Sequence, residues 1–297
     1  MPSPSFAHLT DRALIRAGGP EAQHFLQNLV TADIDGLEPG GATAAALLTP
    51  QGKILFDFLV YKVDGGYLLD APAVAAPDLL KRLTFYRLRA KVELEMCEDG
   101  IGVVAVWGGP MAAASGPLTS VTDPRLDAMG QRLTGAVADL AAILGGEDAG
   151  LAAYHAHRIR LGVPEGLCDY DYSDIFPHDA DLDQLGGVSF AKGCYVGQEV
   201  VSRVHHRGTA RKRFVQVEGA AALPAKGTDI TAGGKSVGVL GSSAPGGDTF
   251  AGLALVRLDK VALAKENGTL LDCGGVEIQV RLPDWAGFSW PETGTAD

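Results

Sequence analysis

Cysteine is scarce in this chain, with four in 297 residues (Cys97, Cys168, Cys194 and Cys273) and no C-x-x-C pair. That spacing argues against a structural zinc site or a self-contained iron–sulfur ligand set, both of which need clustered thiolates, so no metal site is expected. No apolar run is long enough to cross a bilayer. The opening residues, Met1-Pro2-Ser3-Pro4-Ser5-Phe6-Ala7-His8, lack the basic start and apolar centre of a secretory leader. The expected address is therefore cytoplasmic, with the cysteines as thiols and no membrane partner. Positive charge is also short: 25 Lys and Arg against 36 Asp and Glu leave a net charge of −11. Such a surface repels a long polyanion, and nucleic acid is not an expected partner. One basic cluster does exist, Arg203, Arg207, Arg211, Lys212 and Arg213 with His205 and His206. It carries no interleaved aromatics for stacking bases, and reads either as a solvated face or as an attractor for a small anion.

The length and a hydrophobic content of 46% suggest two or more packed units. Residues 20–30 read as a helix, with a tolerated proline in the first turn and an apolar stripe of Phe25, Leu26, Leu29 and Val30. Residues 42–48, 54–61 and 67–70 read as strands joined by Thr49-Pro50-Gln51-Gly52 and Gly65-Gly66, an antiparallel meander. A helix follows over 78–89, then strands over 91–96 and 102–107, a loop over 108–130 and a helix over 149–161. Residues 165–190 carry many acids but lack the glycine and terminal glutamate of a calcium loop, and read as a segment draped over a site. From Arg211 onward short strands and glycine turns alternate, over 214–217, 229–231, 236–240, 252–256, 270–273 and 276–280. Their spacing suggests a small barrel or sandwich. The fold class is α+β, with a division into residues 1–210 and a C-terminal β-domain of 211–297.

The densest chemistry lies in Phe190-Ala191-Lys192-Gly193-Cys194-Tyr195-Val196-Gly197-Gln198-Glu199-Val200-Val201-Ser202-Arg203. Gly193 and Gly197 permit backbone angles and close approaches that a side chain forbids. A helix-compatible pattern then places Glu199 and Arg203 at i and i+4. Cys97 and Cys273 lie in apolar, strand-like stretches and read as buried packing residues, and Cys168 lies among acids. Cys194, with Lys192 and Arg203 in its neighbourhood and a helix start expected beside it, is the reactive candidate.

Lys192 to Glu199 resembles the K-G-C-[FY]-x-G-Q-E motif of the YgfZ family. These are folate-binding proteins related to the glycine-cleavage T-protein, and they include a mitochondrial factor that matures iron–sulfur clusters. Residues 25–33 resemble the family's F-L-Q-x-x-x-T-x-D block, residues 48–57 its second block and residues 158–165 its R-I-x-x-G-x-P-E block. The four span about residues 24–208 in the family's order. The resemblance implies two antiparallel-sheet subdomains with helices and a C-terminal β-barrel, arranged around a central folate-binding channel.

It further implies tetrahydrofolate, or another reduced folate, as the bound cofactor. Glu199 matches the pterin-binding glutamate, a role that suits a carboxylate because it accepts two parallel N–H donors; its bland alternative is a surface pair with Arg203. Asp57 falls where T-proteins carry an essential aspartate, although Phe56 stands in place of a second acid; alternatively, Asp57 is a polar strand residue facing water. Cys194 departs from T-proteins and could ligate iron transiently, exchange with a disulfide or shield a cluster-bearing partner, or else serve tight packing. Tyr195 could stack on a pterin or close over the thiol, and Gln198 could read a pterin edge. Lys192 and Arg203 complete the candidate ligand-binding set. The implied function is a folate-binding accessory factor with iron–sulfur client or assembly proteins as partners. The alternative is a tetrahydrofolate-dependent aminomethyltransferase or related one-carbon enzyme.

Overall fold

A computed structural model describes residues 4–109, 119–144, 147–208 and 210–292. The chain divides into two compact units, Met1–Tyr154 with Leu185–Gln198, and His155–Gln184 with Glu199–Asp297.

The first unit opens with β1 (Ser5–His8), β2 (Arg12–Gly18) and α1 (Ala22–Leu29). The expected meander follows as β3 (Ala42–Leu48), β4 (Ile54–Val63) and β5 (Gly66–Pro72). Then come α2 (Ala76–Arg87), β6 (Glu93–Met96), β7 (Ile101–Trp107), β8 (Thr119–Thr122), β9 (Gln131–Ala136) and α3 (Val137–Leu144). Two antiparallel sheets result, one ordered β3-β4-β5-β2-β6 and the other β1-β7-β9-β8. The stretch read as loop over 108–130 needs correction. Thr119–Thr122 is a strand and Asp127–Met129 a 3-10 turn, while residues 110–118 lie outside the described residues. Thr119, Ser120 and Thr122 gave β8 the look of a polar loop, because its pairing with β9 satisfies backbone groups without an apolar pattern.

A network of polar side chains joins the two sheets inside this unit. Asp70, fully buried on β5, accepts hydrogen bonds from Arg12 Nε (2.6 Å), Tyr61 Oη (2.5 Å) and Arg132 Nη1 (2.7 Å). Arg132, on β9, also reaches Asp123 through Nε (2.9 Å) and the Tyr154 hydroxyl through Nη2 (2.5 Å). Arg125 binds the same Asp123 and Tyr154. Burial would raise both aspartates' pKa values, but Arg12 and Arg132 at Asp70, and Arg125 and Arg132 at Asp123, hold them below the usual carboxylate range. These charges tolerate the interior because each meets several partners.

The second unit begins with most of α4 (Leu151–Leu161) and the irregular run to residue 184. It continues through α5 (Gln198–Arg207) from Glu199 onward. Its closed barrel comprises β10 (Lys212–Gly219), β11 (Asp229–Ala232), β12 (Lys235–Pro245), β13 (Phe250–Arg257), β14 (Leu271–Cys273) and β15 (Val276–Arg281). They pair in the order β10-β13-β12-β11-β14-β15. Between β13 and β14 lies α6 (Leu258–Glu266), whose Leu258, Val261 and Ala264 join the barrel's apolar core with buried Cys273.

Residues 155–184 are fastened to that barrel. Buried Arg158 reaches Asp169 (2.6 Å), Ser242 Oγ (3.0 Å) and the Val163 carbonyl (3.1 Å). Gln216 Nε2 donates to the Arg160 carbonyl (2.5 Å) and Trp285 Nε1 to that of Leu161 (2.8 Å). Gly162, at φ 79°, leaves no room for a Cβ, which would stand 2.8 Å from Pro283. The block at 158–165 is thus a buried anchor. Among the described residues, no helix is long and apolar enough to cross a membrane.

Candidate functional site

Residues 189–197 form an irregular loop of the first unit, and three earlier stretches of that unit hold it in place. The end of α1 is the first. Lys192 Nζ donates to the carbonyls of Gln27 (2.6 Å), Val30 (2.8 Å) and Ala32 (2.6 Å). These acceptors lie at and just beyond a helix C-terminus, where carbonyls lack intrahelical partners and the dipole favours a cation. Burial pulls the Lys192 pKa down to about 8, with Asp33 and Asp35 opposing, so the ammonium keeps its three protons at neutral pH.

Thr31 supplies the second hold. Fully buried, it donates through Oγ1 to the Gly187 carbonyl (2.5 Å) and accepts there from the Ala46 N–H (2.8 Å). Its own carbonyl accepts from Ser189 N–H (2.9 Å). Gln27 braces the turn beneath, donating to Asp33 and accepting from the Ile34 N–H (2.7 Å). Gln27, Thr31 and Asp33 were legible only as letters of a motif, and their work is to build the bed of the loop.

The third hold is the turn between β3 and β4. Gly197 sits at φ 81°, and a Cβ there would stand 2.5 Å from the Thr49 carbonyl oxygen and 3.0 Å from Gly52 Cα. Only glycine permits this approach. Gly193 is different: it is exposed, and no atom lies within 4 Å of where its Cβ would stand.

Between these anchors the loop exposes Cys194 and buries Tyr195. Helix α5 begins at Gln198, four residues beyond Cys194, so the thiol is not in a helical first turn as expected. Nor does Lys192 stand as a free cation, since the carbonyls of Gln27, Val30 and Ala32 take its ammonium. The Tyr195 ring lies 5.4 Å from Lys192 Nζ, and its buried hydroxyl has no hydrogen-bond partner among the described residues. Burial pushes that hydroxyl's pKa up to about 12.

Asp57 is half-buried on β4, opposite Ala46 in register, and alternates with the buried Phe56 and Phe58. The structure thus gathers Lys192, Cys194, Tyr195, Gln198 and Asp57 into one unit. Glu199 and Arg203 belong to the other. There they form an i,i+4 ion pair on α5 with both side chains exposed. Exposed pairs of this kind contribute roughly 0.3–0.5 kcal/mol. Cys97, read as a buried packing residue, is instead half-buried and lines a cleft with Arg16, Leu68, Glu95 and Thr134.

The fold and its glycine-bearing cysteine loop define a T-protein-like α+β body joined to a C-terminal β-barrel. Residues 9–134 match the GCVT N-terminal domain, and residues 211–288 match the CAF17 C-terminal beta-barrel domain. The glycine cleavage system aminomethyltransferase T from Bartonella henselae superposes with a TM-score of 0.76 at 18% identity, covering 96% of this chain and 86% of that one. At that identity the likeness speaks for the fold alone. The mitochondrial iron-sulfur cluster assembly factor IBA57 of Homo sapiens is 32% identical over 95% of this chain and 84% of its own length. Its Mus musculus counterpart is 31% identical with the same coverage. The chain belongs to this family, the YgfZ and IBA57 relatives of the T-protein.

Proposed function

We propose that this protein is a reduced-folate-binding accessory factor for iron–sulfur cluster assembly or repair. The reading is supported by the relatives' printed role and by one observation in particular: an exposed thiol on a loop immobilised from three sides. A thiolate must be reachable to ligate iron or exchange with a partner's sulfur, and a fixed backbone aims it without an ordering cost at encounter. Iron or cluster is cargo here, and the cluster-bearing proteins are the partners.

Several groups suit a folate. The Glu199 carboxylate is exposed and can accept the paired 2-amino and ring N–H donors of a pterin. Tyr195 carries a buried hydroxyl with no hydrogen-bond partner among the described residues, so its polar end rather than its ring suits a ligand contact. Gln198 and Asp57 add an amide and a carboxylate, while Arg203 can meet an anionic tail. A bound reduced folate would supply a one-carbon carrier or a reducing ring.

The second reading, one-carbon transfer, draws on the retained Asp57 and the T-protein fold. The buried Phe56 stands against it, because no second carboxylate occupies that place. Titration calorimetry with tetrahydrofolate separates the readings when combined with a methylene-transfer assay on an aminomethylated lipoyl carrier. Saturable binding without turnover is the expected result. Glu199→Gln should weaken binding by about 1–3 kcal/mol, the usual range for a charged hydrogen bond. Cys194→Ser should retain folate affinity yet fail to restore iron–sulfur enzyme activity in a deletion strain. Full restoration by Cys194→Ser, or turnover in the transfer assay, would remove the accessory reading.

A further inference from the structure

Helix α2 turns its apolar stripe inward, with Ala76, Leu79 and Leu83 buried and the helix packed against β2 and β6. Its other face is unusual. Lys81, Arg82 and Phe85 are exposed, and Leu88 and Arg89 continue the strip just beyond the helix end at spacings of three and four. Phe85 is 70% exposed and Leu88 86%. Leu88 also caps the helix at φ 48° and ψ −105°, a conformation that disfavours any side chain and that glycine adopts freely. Neither burial nor backbone geometry accounts for a leucine there. Strain and exposure together place its use outside the chain's own core.

The charge around these two residues is equally local. Between Asp78 and Glu93 stand Lys81, Arg82, Arg87, Arg89 and Lys91 with no acid, in a chain of net charge −11. We propose that Lys81, Arg82, Phe85, Leu88 and Arg89 form a docking surface for a partner protein whose contacting face is acidic around an apolar depression. Phe85 and Leu88 enter the depression, and the cations pair with the acids at its rim. Arg and aromatic anchors carry the energy of such interfaces, and complementary charge sets the encounter rate. A membrane is the poorer fit, because the apolar stripe that would enter lipid is already buried against the sheet and the exposed strip itself offers two large apolar side chains, Phe85 and Leu88, among its cations. Nucleic acid is disfavoured by the net charge and by an aliphatic residue at the most exposed position.

The test uses the full chain and a labelled helical peptide of about 18 residues, glutamates flanking a leucine stripe, with a lysine version as control. The acidic peptide should bind saturably and weaken as salt rises, and the lysine peptide should not bind. Phe85→Ser and Leu88→Gly should each weaken binding about tenfold, or 1.4 kcal/mol. Leu88→Gly should do so while leaving Tm unchanged or higher, which a structural role would not allow. Arg82→Glu with Arg89→Glu should abolish binding, and tetrahydrofolate affinity should not change in any variant. No saturable binding of the acidic peptide, equal binding by the variants, or tighter binding to phosphatidylglycerol vesicles or single-stranded RNA through the same residues would overturn the proposal.

Discussion

An ammonium group has three protons, and Lys192 directs each to a separate carbonyl. The motif marked this lysine in the sequence, but as a ligand contact. Nothing in the local letters shows that carbonyls from residues 27, 30 and 32 converge on it, because the convergence is made by a fold that spans 160 intervening residues. Lys192→Met should therefore cost about 2–4 kcal/mol of stability in the folate-free protein, through three acceptors left without their donor. Urea unfolding measures it, and a loss seen only with folate present would assign Lys192 to the ligand instead. Asp181 makes the opposite case. It is fully buried at φ 57°, its Oδ1 is 3.3 Å from Arg213 Nη1, and its Oδ2 has no partner among the described residues. Burial raises its pKa well above the ordinary carboxylate value, against the pull of Arg213, which is bonded more closely to Asp183. The folded state then binds a proton that the unfolded state has released. This group's contribution is present at low pH and is lost as pH rises through the folded pKa. Asp181→Asn removes that loss and keeps a residue type that tolerates a positive φ. The variant should gain about 1–2 kcal/mol over wild type at neutral pH and less near pH 4. A difference between the two proteins that does not change with pH would contradict this account.

Elements were legible where burial writes a simple period. Strands β3, β4 and β5 and the six barrel strands follow their apolar alternation and glycine turns, as does α1 its stripe. Where polar residues are buried by pairing, the pattern fails. The Gln131–Ala136 strand carries an arginine inward and was invisible for that reason, since Arg132 is acceptable there only beside Asp70 and Asp123. Helix α6 was missed because its short amphipathic run lies among strands and covers one side of a barrel core. Two predictions belong to this scale. Arg132→Met should lower stability by about 3–5 kcal/mol, because two buried carboxylates lose a shared cation. Gly197→Ala should cost about 1–3 kcal/mol, because strain at positive φ adds to a clash with the Thr49 carbonyl. Faster amide exchange in residues 189–197 should accompany it, and unchanged exchange there would show that the turn does not hold the loop.

At the scale of the whole molecule, the α+β class and the barrel were readable, and the candidate residues were located by family motif rather than by periodicity. The interleaving of the compact units was not readable, because it depends on hydrogen bonds between distant segments. Arg213, Gln216 and Trp285 draw partners from residues 160–183. A fragment of residues 211–297 lacks all of these. Its Tm should fall by about 5 °C or more relative to the same barrel carrying residues 155–184. Equal transitions for the two fragments would show that the barrel is self-sufficient.

The backbone passes from one unit to the other after residues 154, 184 and 198. For a ribosome releasing this polypeptide from its amino end, the first unit cannot be finished until residue 198 has emerged. The acceptors at the close of α1 emerge some 160 residues ahead of the lysine that satisfies them, and thirty residues destined for the barrel intervene just before it. A product stalled near residue 184 would carry an incomplete first unit together with an anchor segment whose barrel is not yet made. Such a nascent chain is a natural client for chaperones: the first unit can close once residue 198 is out, whereas residues 155–184 wait for the barrel that follows.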